Sequence, residues 1–312
     1  MGDRRNILVS VFVVTYNQEK YIRQCLDSIL MQKVNFDYEI VIGEDSGTDK
    51  TLSICEEYAR KYPQIRLLPK TNHLGIAGNW RRVLSECRGK YVAMCEGDDY
   101  WCDPLKLQKQ VDFLEGDIDE NFVLCFHDVM LKDGEDNLIE ESKTEGGIAN
   151  ADRSSYDLIT GYHPSTQTVM FRQKYLCKIL PVMGKYKYNN NDAVLFSLLG
   201  QYGAGKFIPN VGKSVWRIHN GSAWSSASDI NKRINIYNTY TFLQRVNKEY
   251  EGHFFKIRLS YASKILPDAV KDRKFVISVK YYFIVCWLYL KSKDFKSIWN
   301  IQKGVVYNII HK

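Results

Sequence analysis

No two of the eight cysteines, at 25, 55, 87, 95, 102, 125, 177 and 286, stand at the spacing of a metal site, and several lie inside apolar runs. They read as buried free thiols in a reducing compartment. A cleavable leader is not expected either: MGDRRNILVSVFVV starts basic and turns apolar, but no small-residue cleavage site precedes Thr15-Tyr16-Asn17. The run therefore reads as a first core strand, and the expected location is the cytoplasm. After that strand comes TYNQEK, which contains no glycine. A Rossmann dinucleotide site is thereby excluded, because its pyrophosphate needs a Gly-rich turn to approach the helix N-terminus. Phe275–Leu290 is apolar and aromatic, but it contains Lys280 and covers only about sixteen residues, short for a membrane span. A packed or interfacial helix is expected there. Internal repeats and low-complexity tracts are absent.

What is present is ordinary for a globular chain. A length of 312 residues, 45% hydrophobic and 25% charged, suits one large domain or a domain with an appendage. The 21 tyrosines and 14 phenylalanines would suit a carbohydrate-handling surface, although aromatics fill cores more often. The net charge of +7 is uneven: residues 231–312 hold 16 Lys/Arg against 5 Asp/Glu, whereas the first 230 hold 27 against 31. The basic character belongs to the tail. A nucleic-acid-binding core is thus not expected, and the tail would meet an anionic partner such as a membrane surface or simply present a lysine-rich helical face.

Through the first hundred residues, strand and helix patterns alternate. Strands are expected at Ile7–Val14, Tyr38–Ile42, Ile65–Leu68 and Tyr91–Cys95, and helices at Glu19–Met31, Thr51–Lys61 and Ile76–Cys87. This alternation implies a mainly parallel sheet covered by helices on both faces, with ligands bound beyond the carboxyl ends of the strands. Further along, a helix is expected at Pro104–Glu115, one strand over Phe122–Leu131 and a polar loop or lid over 134–155. Then come a strand at Thr166–Phe171, a helix from Arg172 to Leu180 stopped by Pro181, and a helix at Ala193–Leu199. Short strands follow at Gly205–Pro209 and Lys213–Ile218. After Ser228 the pattern turns helical, with Ile230–Tyr250 and Phe254–Leu266 separated at Gly252. The expected division is 1–228 as an α/β domain and 229–312 as a basic, amphipathic helical extension.

The most informative stretch is KYVAMCEGDDYW, residues 90–101. A buried strand stops at Glu96-Gly97-Asp98-Asp99, which places three carboxylates within four residues. Such charge repels itself and resists desolvation, and a divalent cation is the simplest remedy. Oxygen ligands suit Mg²⁺ or Mn²⁺, which fill their shells with water and phosphate oxygens. A solvated acidic turn is the plain alternative. Polar clusters at the other strand ends, Thr15-Tyr16-Asn17 and Glu44-Asp45, favour a nucleotide-type site.

Together VFVVTYNQEKYI, EIVIGEDSGTDKT, NHLGIAGNW, GKYVAMCEGDDYW, the NND segment at 190–192 and WRIHNGSAWS resemble a family 2 glycosyltransferase of the GT-A fold. The resemblance covers the first 225 positions and leaves the tail outside. It implies an α/β, Rossmann-like sheet with Thr15, Tyr16 and Asn17 at the nucleotide and Asp45 accepting from the base. Glu44 stands where the family often has Asp, and Asn72, Gly75 and Asn79 match the turn and helix that close over the donor. Asp98 would be the principal metal ligand with Asp99 beside it. Glu96, one methylene longer than the family's Asp, would take an outer-shell or ribose role. Asp192 matches the catalytic base, Arg217 would bind the nucleotide sugar, and His219 in the same stretch would complete the metal or diphosphate site. Trp224 and Ser225 would lie on a loop that closes over the donor.

The implied reaction is inverting transfer from a nucleotide sugar, a UDP-hexose or UDP-N-acetylhexosamine by the family's habit, to a glycan or lipid-linked acceptor with Mn²⁺ or Mg²⁺. Two other readings share the fold: a sugar-nucleotide nucleotidyltransferase, which normally carries a Gly-rich basic loop after the first strand, and a non-catalytic carbohydrate-binding or scaffold protein, which would have lost the acidic cluster or the base. Neither departure is present in the sequence.

Overall fold

The computed structural model describes residues 7–142, 150–185, 188, 190–222 and 224–292. Two compact units emerge, Met1–Tyr186 with Asn191–Ser226, and Lys187–Asn190 with Ala227–Lys312.

In the first unit the alternating apolar runs form strands β1 (Val9–Thr15), β2 (Tyr38–Glu44), β3 (Ile65–Leu67) and β4 (Tyr91–Met94). Between them run helices α1 (Ile22–Leu30), α2 (Thr51–Lys61) and α3 (Gly75–Glu86). β1 pairs in parallel with β2 on one side and β4 on the other, and β2 pairs in parallel with β3. Both faces of β1 and β4 are buried, which is why those segments read as unbroken apolar runs. After β5 (Tyr100–Trp101) and α4 (Lys106–Gly116) come β6 (Phe122–Phe126), β7 (Val129–Asp133) and β8 (Leu138–Glu140). α5 (Ser155–Thr160), β9 (Met170–Arg172), α6 (Leu176–Met183) and α7 (Asn191–Leu199) follow, and β10 (Ala204–Phe207) and β11 (Ser214–Ile218) complete the unit. The large sheet has the order β10-β6-β9-β4-β1-β2-β3, and a smaller sheet the order β5-β11-β7-β8. Among the described residues, only β9 runs antiparallel to its neighbours in the large sheet. This is a mixed, mainly parallel sheet with flanking helices, the Rossmann-like core of a GT-A fold.

Four expectations need correction. Phe122–Leu131 is not one strand: it breaks at His127-Asp128, so that β6 pairs with β10 in the large sheet and β7 with β11 in the small one. The Asp128 carboxylate accepts from the backbone of Val129 and from Ser142 Oγ, giving the chain a polar pivot between the two sheets. The stretch from 134 onward is not all loop. The Asp133 carboxylate gathers the N–H groups of Glu135 and Asn137 into a tight turn, and β8 returns antiparallel to β7. Residues 143–149 of that expected lid lie outside the described residues. Pro181 does not stop α6, which runs on to Met183. Placed near the end of a short helix, it forfeits one backbone donor without ending it.

The second unit is helical: α8 (Asp229–Val246), α9 (Glu251–Lys271) and α10 (Phe275–Lys291). Gly252 does not separate helices as expected. It lies in the first turn of α9, and the break falls at Asn247, whose φ of −118° and ψ of 68° leave the helical region. Ile265, Leu266 and Ala269 of α9 meet Tyr281, Val285 and Leu288 of α10 and Tyr237 of α8 in one apolar cluster. Among the described residues, no helix is long and apolar enough to cross a membrane. Cys25, Cys55, Cys87, Cys95 and Cys125 are buried free thiols, whereas Cys102 and Cys177 are exposed and Cys286 is half-buried.

Candidate active site

The site grows from the end of β4. Beyond the strand the chain stays tied to β1: Cys95 N–H donates to Phe12 O at 3.0 Å and Gly97 N–H to Val14 O at 2.9 Å. Glycine is required at 97 because a Cβ there would sit 2.7 Å from Thr15 Oγ1 and 2.6 Å from Gln18 Oε1. Beneath this loop the Cys25 thiol lies 3.4 Å from Glu96 O, and the Cys95 thiol lies 3.7 Å from Asp99 O.

Of the three carboxylates, Asp98 faces His219, with Oδ2 3.0 Å from Nε2. Gly221 N–H donates to the other ring nitrogen, Nδ1, at 3.1 Å. In the neutral ring the proton therefore sits on Nε2 and points at Asp98. A cation bound at Nε2 would force that proton to Nδ1, at the expense of the Gly221 hydrogen bond. Asp99 is buried, and its Oδ1 accepts from the backbone N–H of Arg217 at 2.8 Å. Glu96 is half-buried. Loss of water contact, followed by the carboxylates of Asp98 and Asp192, pushes its carboxyl up to about 8. The same causes, burial first and then Asp98 and Glu96, raise Asp99. Asp192, in the first turn of α7, is thus close enough to bear on the Glu96–Asp98 cluster although 94 positions separate it from Asp98.

Arg217 is placed inward rather than toward solvent. Its guanidinium lies between the rings of Tyr21 and Tyr100, 4.6 and 5.1 Å from their centroids. It donates to the backbone carbonyl of Asp98 at 2.6 Å, to Gln24 Oε1 at 2.6 Å and to Asp136 Oδ1 at 3.2 Å. β11 pairs antiparallel with β5, Val215 opposite Tyr100, and this register brings residues 217–219 back over the acidic loop.

A second cluster lies at the ends of β1 and β2. Tyr16 is exposed, and its ring centre is 4.7 Å from that of His73. His73 Nδ1 is 3.0 Å from Asp45 Oδ2, and Asp45 Oδ1 accepts from Leu74 N–H at 2.8 Å. His73 was not singled out from the sequence. Its position inside the NHLG turn was the available signal, but no local pattern shows that it meets Asp45. Glu44 is buried, and its carboxylate accepts from Ser46 and Gly47 N–H at 2.9 and 2.6 Å, shaping the turn that carries Asp45. Asn17, with a φ of 51°, accepts from Thr48 N–H at 2.7 Å, and Thr15 Oγ1 donates to Gln18. Asn79 is buried and donates to Gly43 O at 2.7 Å. Gly75 opens α3 with a φ of 71°, and Asn72 is exposed just before it. Trp224 is exposed and Ser225 half-buried on the turn that follows His219.

Among the described residues, no group of three or more His, Cys, Asp or Glu side chains is arranged to hold a metal ion. The donor set at the acidic loop is a pair, the Asp98 carboxylate and the His219 imidazole. A pair is compatible with Mg²⁺ or Mn²⁺, because such ions keep water and phosphate oxygens in the rest of the shell.

In open, mainly parallel sheets ligands bind beyond the carboxyl ends of the strands, which is where these acidic and imidazole groups gather. Residues 10–180 match the model of glycosyl transferase family 2, and the chain belongs to that family. It is 46% identical over 122 residues to the uncharacterized protein Rv1520 of Mycobacterium tuberculosis, a match covering 39% of this chain and 35% of that protein. The matched part thus spans about a third of that relative's length. An uncharacterized glycosyltransferase of Nostoc sp., alr2836, is 29% identical over 308 residues, 96% of this chain and 88% of that one. Among solved structures, S. aureus TarS 1–349 in complex with UDP-GlcNAc superposes with a TM-score of 0.60 at 17% identity, covering 94% of this chain and 89% of that one. The mannosyltransferase PcManGT from Pyrobaculum calidifontis, in complex with GDP-Man and Mn²⁺, gives 0.54 at 15% identity, with 99% and 87% covered. At such identities these two likenesses concern the fold.

Proposed function

We propose that this protein transfers a sugar, with inversion, from a nucleotide-sugar donor to a hydroxyl of a glycan or lipid-linked acceptor. The observation that carries this reading is the convergence of Glu96 and Asp98 from one loop, Asp192 from α7 and His219 from the end of β11, three separate segments, at the carboxyl end of β4.

Tyr16 and His73 offer ring faces to a base, and Asp45 offers a carboxylate beside them to accept from it. Asp98 and His219 would hold a divalent cation, which as a Lewis acid offsets charge gathering on the departing diphosphate. Asp192 takes the proton of the acceptor hydroxyl as its oxygen bonds the anomeric carbon and the bond from that carbon to the diphosphate oxygen breaks. Glu96, beside Asp98 in the same loop, is placed to hydrogen-bond a hydroxyl of the donor. Arg217 fixes the backbone of Asp98 and so positions the cation ligand. The UDP-GlcNAc and UDP of the two TarS complexes and the GDP-Man and Mn²⁺ of PcManGT support a nucleotide-sugar donor and a divalent cation.

The test is a thermal-shift screen of UDP- and GDP-sugars with Mn²⁺ present, followed by product analysis on the donor that binds. A stabilising donor that is turned over to nucleoside diphosphate supports the reading. Stabilisation by nucleoside triphosphate plus sugar phosphate, with release of pyrophosphate, would instead assign a nucleotidyltransferase.

A further inference from the structure

α10 is apolar on both sides, but only one side is packed. Tyr281, Val285 and Leu288 are buried in the helical cluster of the second unit. Phe275, Val276, Val279, Phe283, Trp287 and Leu290 fall on the opposite face, at the spacing that gathers side chains into one stripe along a helix. They stay in solvent: Phe275 and Val276 are each 78% exposed and Phe283 67%. Scattered surface apolar residues need no explanation, but a continuous stripe with two phenylalanines and a tryptophan does.

The charge around the stripe says what covers it. α10 carries Lys280 and Lys291 and no Asp or Glu. Lys280 is exposed at the margin of the stripe, and Lys291 folds its ammonium 4.5 Å from the centre of the Trp287 ring. Lys271 and Arg273 are exposed just ahead of the helix. Over 231–312 the chain has 16 basic residues against 5 acidic ones. A second copy of the same face would bring these cations against each other. Anionic lipid headgroups would meet them with opposite charge while the acyl region received the rings. A 17-residue helix is about 25 Å long, and it would lie in the interface plane.

We infer that the exposed stripe of α10 docks this protein on an anionic phospholipid bilayer. The inference deepens the proposed function by placing the chain on the surface where a lipid-linked acceptor resides. Its test requires neither donor nor acceptor, so either idea can fail alone.

The experiment is flotation of the full chain with vesicles of phosphatidylcholine alone and of phosphatidylcholine mixed with phosphatidylglycerol. Binding is expected to the mixed vesicles and to weaken with added salt. Phe283→Ser with Trp287→Ser should lower the partition at least about tenfold, given the apolar area each ring buries. Both side chains are exposed, so the melting temperature should stay within a few degrees. Lys280→Glu with Lys291→Glu should weaken binding to the mixed vesicles only. Bromine-labelled acyl chains should quench fluorescence of the wild-type chain more than that of Trp287→Phe. Failure of the full chain to float, or flotation that both double variants leave unchanged, would overturn the inference. So would a dimer in solution that the Phe283/Trp287 variant converts to monomer without any vesicle binding, which would assign the stripe to a second copy.

Discussion

Nε2 of His219 lies 3.0 Å from Oδ2 of Asp98 across 121 positions of sequence. The pair stands where β11 returns beside β5, and its two sides reach it by different routes: Asp98 from the end of a parallel strand, His219 from the small sheet.

If this pair holds the cation, removing either member should have the same signature. Asp98→Ala and His219→Ala are each expected to abolish the Mn²⁺-dependent part of donor binding, with a loss of about 10-fold or more in apparent metal affinity. Calorimetric titration of Mn²⁺ with and without the nucleotide sugar checks this. Mn²⁺ binding in His219→Ala equal to wild type would remove the imidazole from the site.

Asp192→Asn should retain donor and metal binding, while transfer falls by about 10²–10⁴, the usual share of a general base. Single-turnover transfer rates, set beside donor affinity for the same variant, separate the two effects. A variant that transfers near the wild-type rate would put the base elsewhere.

Arg217 is the anchor of the acidic loop. Arg217→Met leaves the Asp98 carbonyl and Gln24 without their donor in a buried setting. We expect a loss of stability of about 3 kcal/mol, the lower end for a broken buried pair because Asp136 is partly exposed. Arg217→Lys keeps the charge but not the fork, and should recover only part of this. Urea denaturation measures both. Equal stability of all three proteins would mean that the guanidinium contributes nothing to the loop.

Lys106 lies fully buried, its ammonium 4.0 Å from the centre of the Trp101 ring and bonded to Gln110 Oε1 at 2.7 Å. Burial pulls its pKa down to about 7, against smaller raising effects from Cys125, Cys95 and Asp103. Between pH 7 and the ordinary value of 10.5 the unfolded chain holds a proton that the folded chain has released. Stability from this group should therefore rise with pH through that window and be lost as pH falls to 7. Lys106→Met removes the titration. The wild-type protein should gain stability relative to the variant, on the order of a few kcal/mol, as pH rises from 7 to 10. Parallel denaturation profiles would show that the lysine keeps its proton in the fold.

Segments that carry their own pattern were legible before any coordinates. α2 spans Thr51–Lys61 as its spacing implied, and β1, β2 and β4 sit within a residue or two of their apolar runs. The polar clusters at strand ends were legible for the same reason, since each is a contiguous stretch beside a strand. The split at His127-Asp128 was not, because an apolar run looks alike whether one sheet or two receive it.

The chain's own order of residues determined the parallel half of the sheet, the family and the short polar segments that border the strands. These follow from periodicity and composition within windows of ten or twenty residues. Tertiary structure decided which side chains of those segments face one another: His219 toward Asp98, Arg217 inward onto the loop backbone, Asp99 onto Arg217, His73 onto Asp45. It also decided which face of α10 stays bare. Such pairings depend on strand order and register between segments a hundred or more positions apart, set by the packing of the whole sheet rather than by any local run of residues.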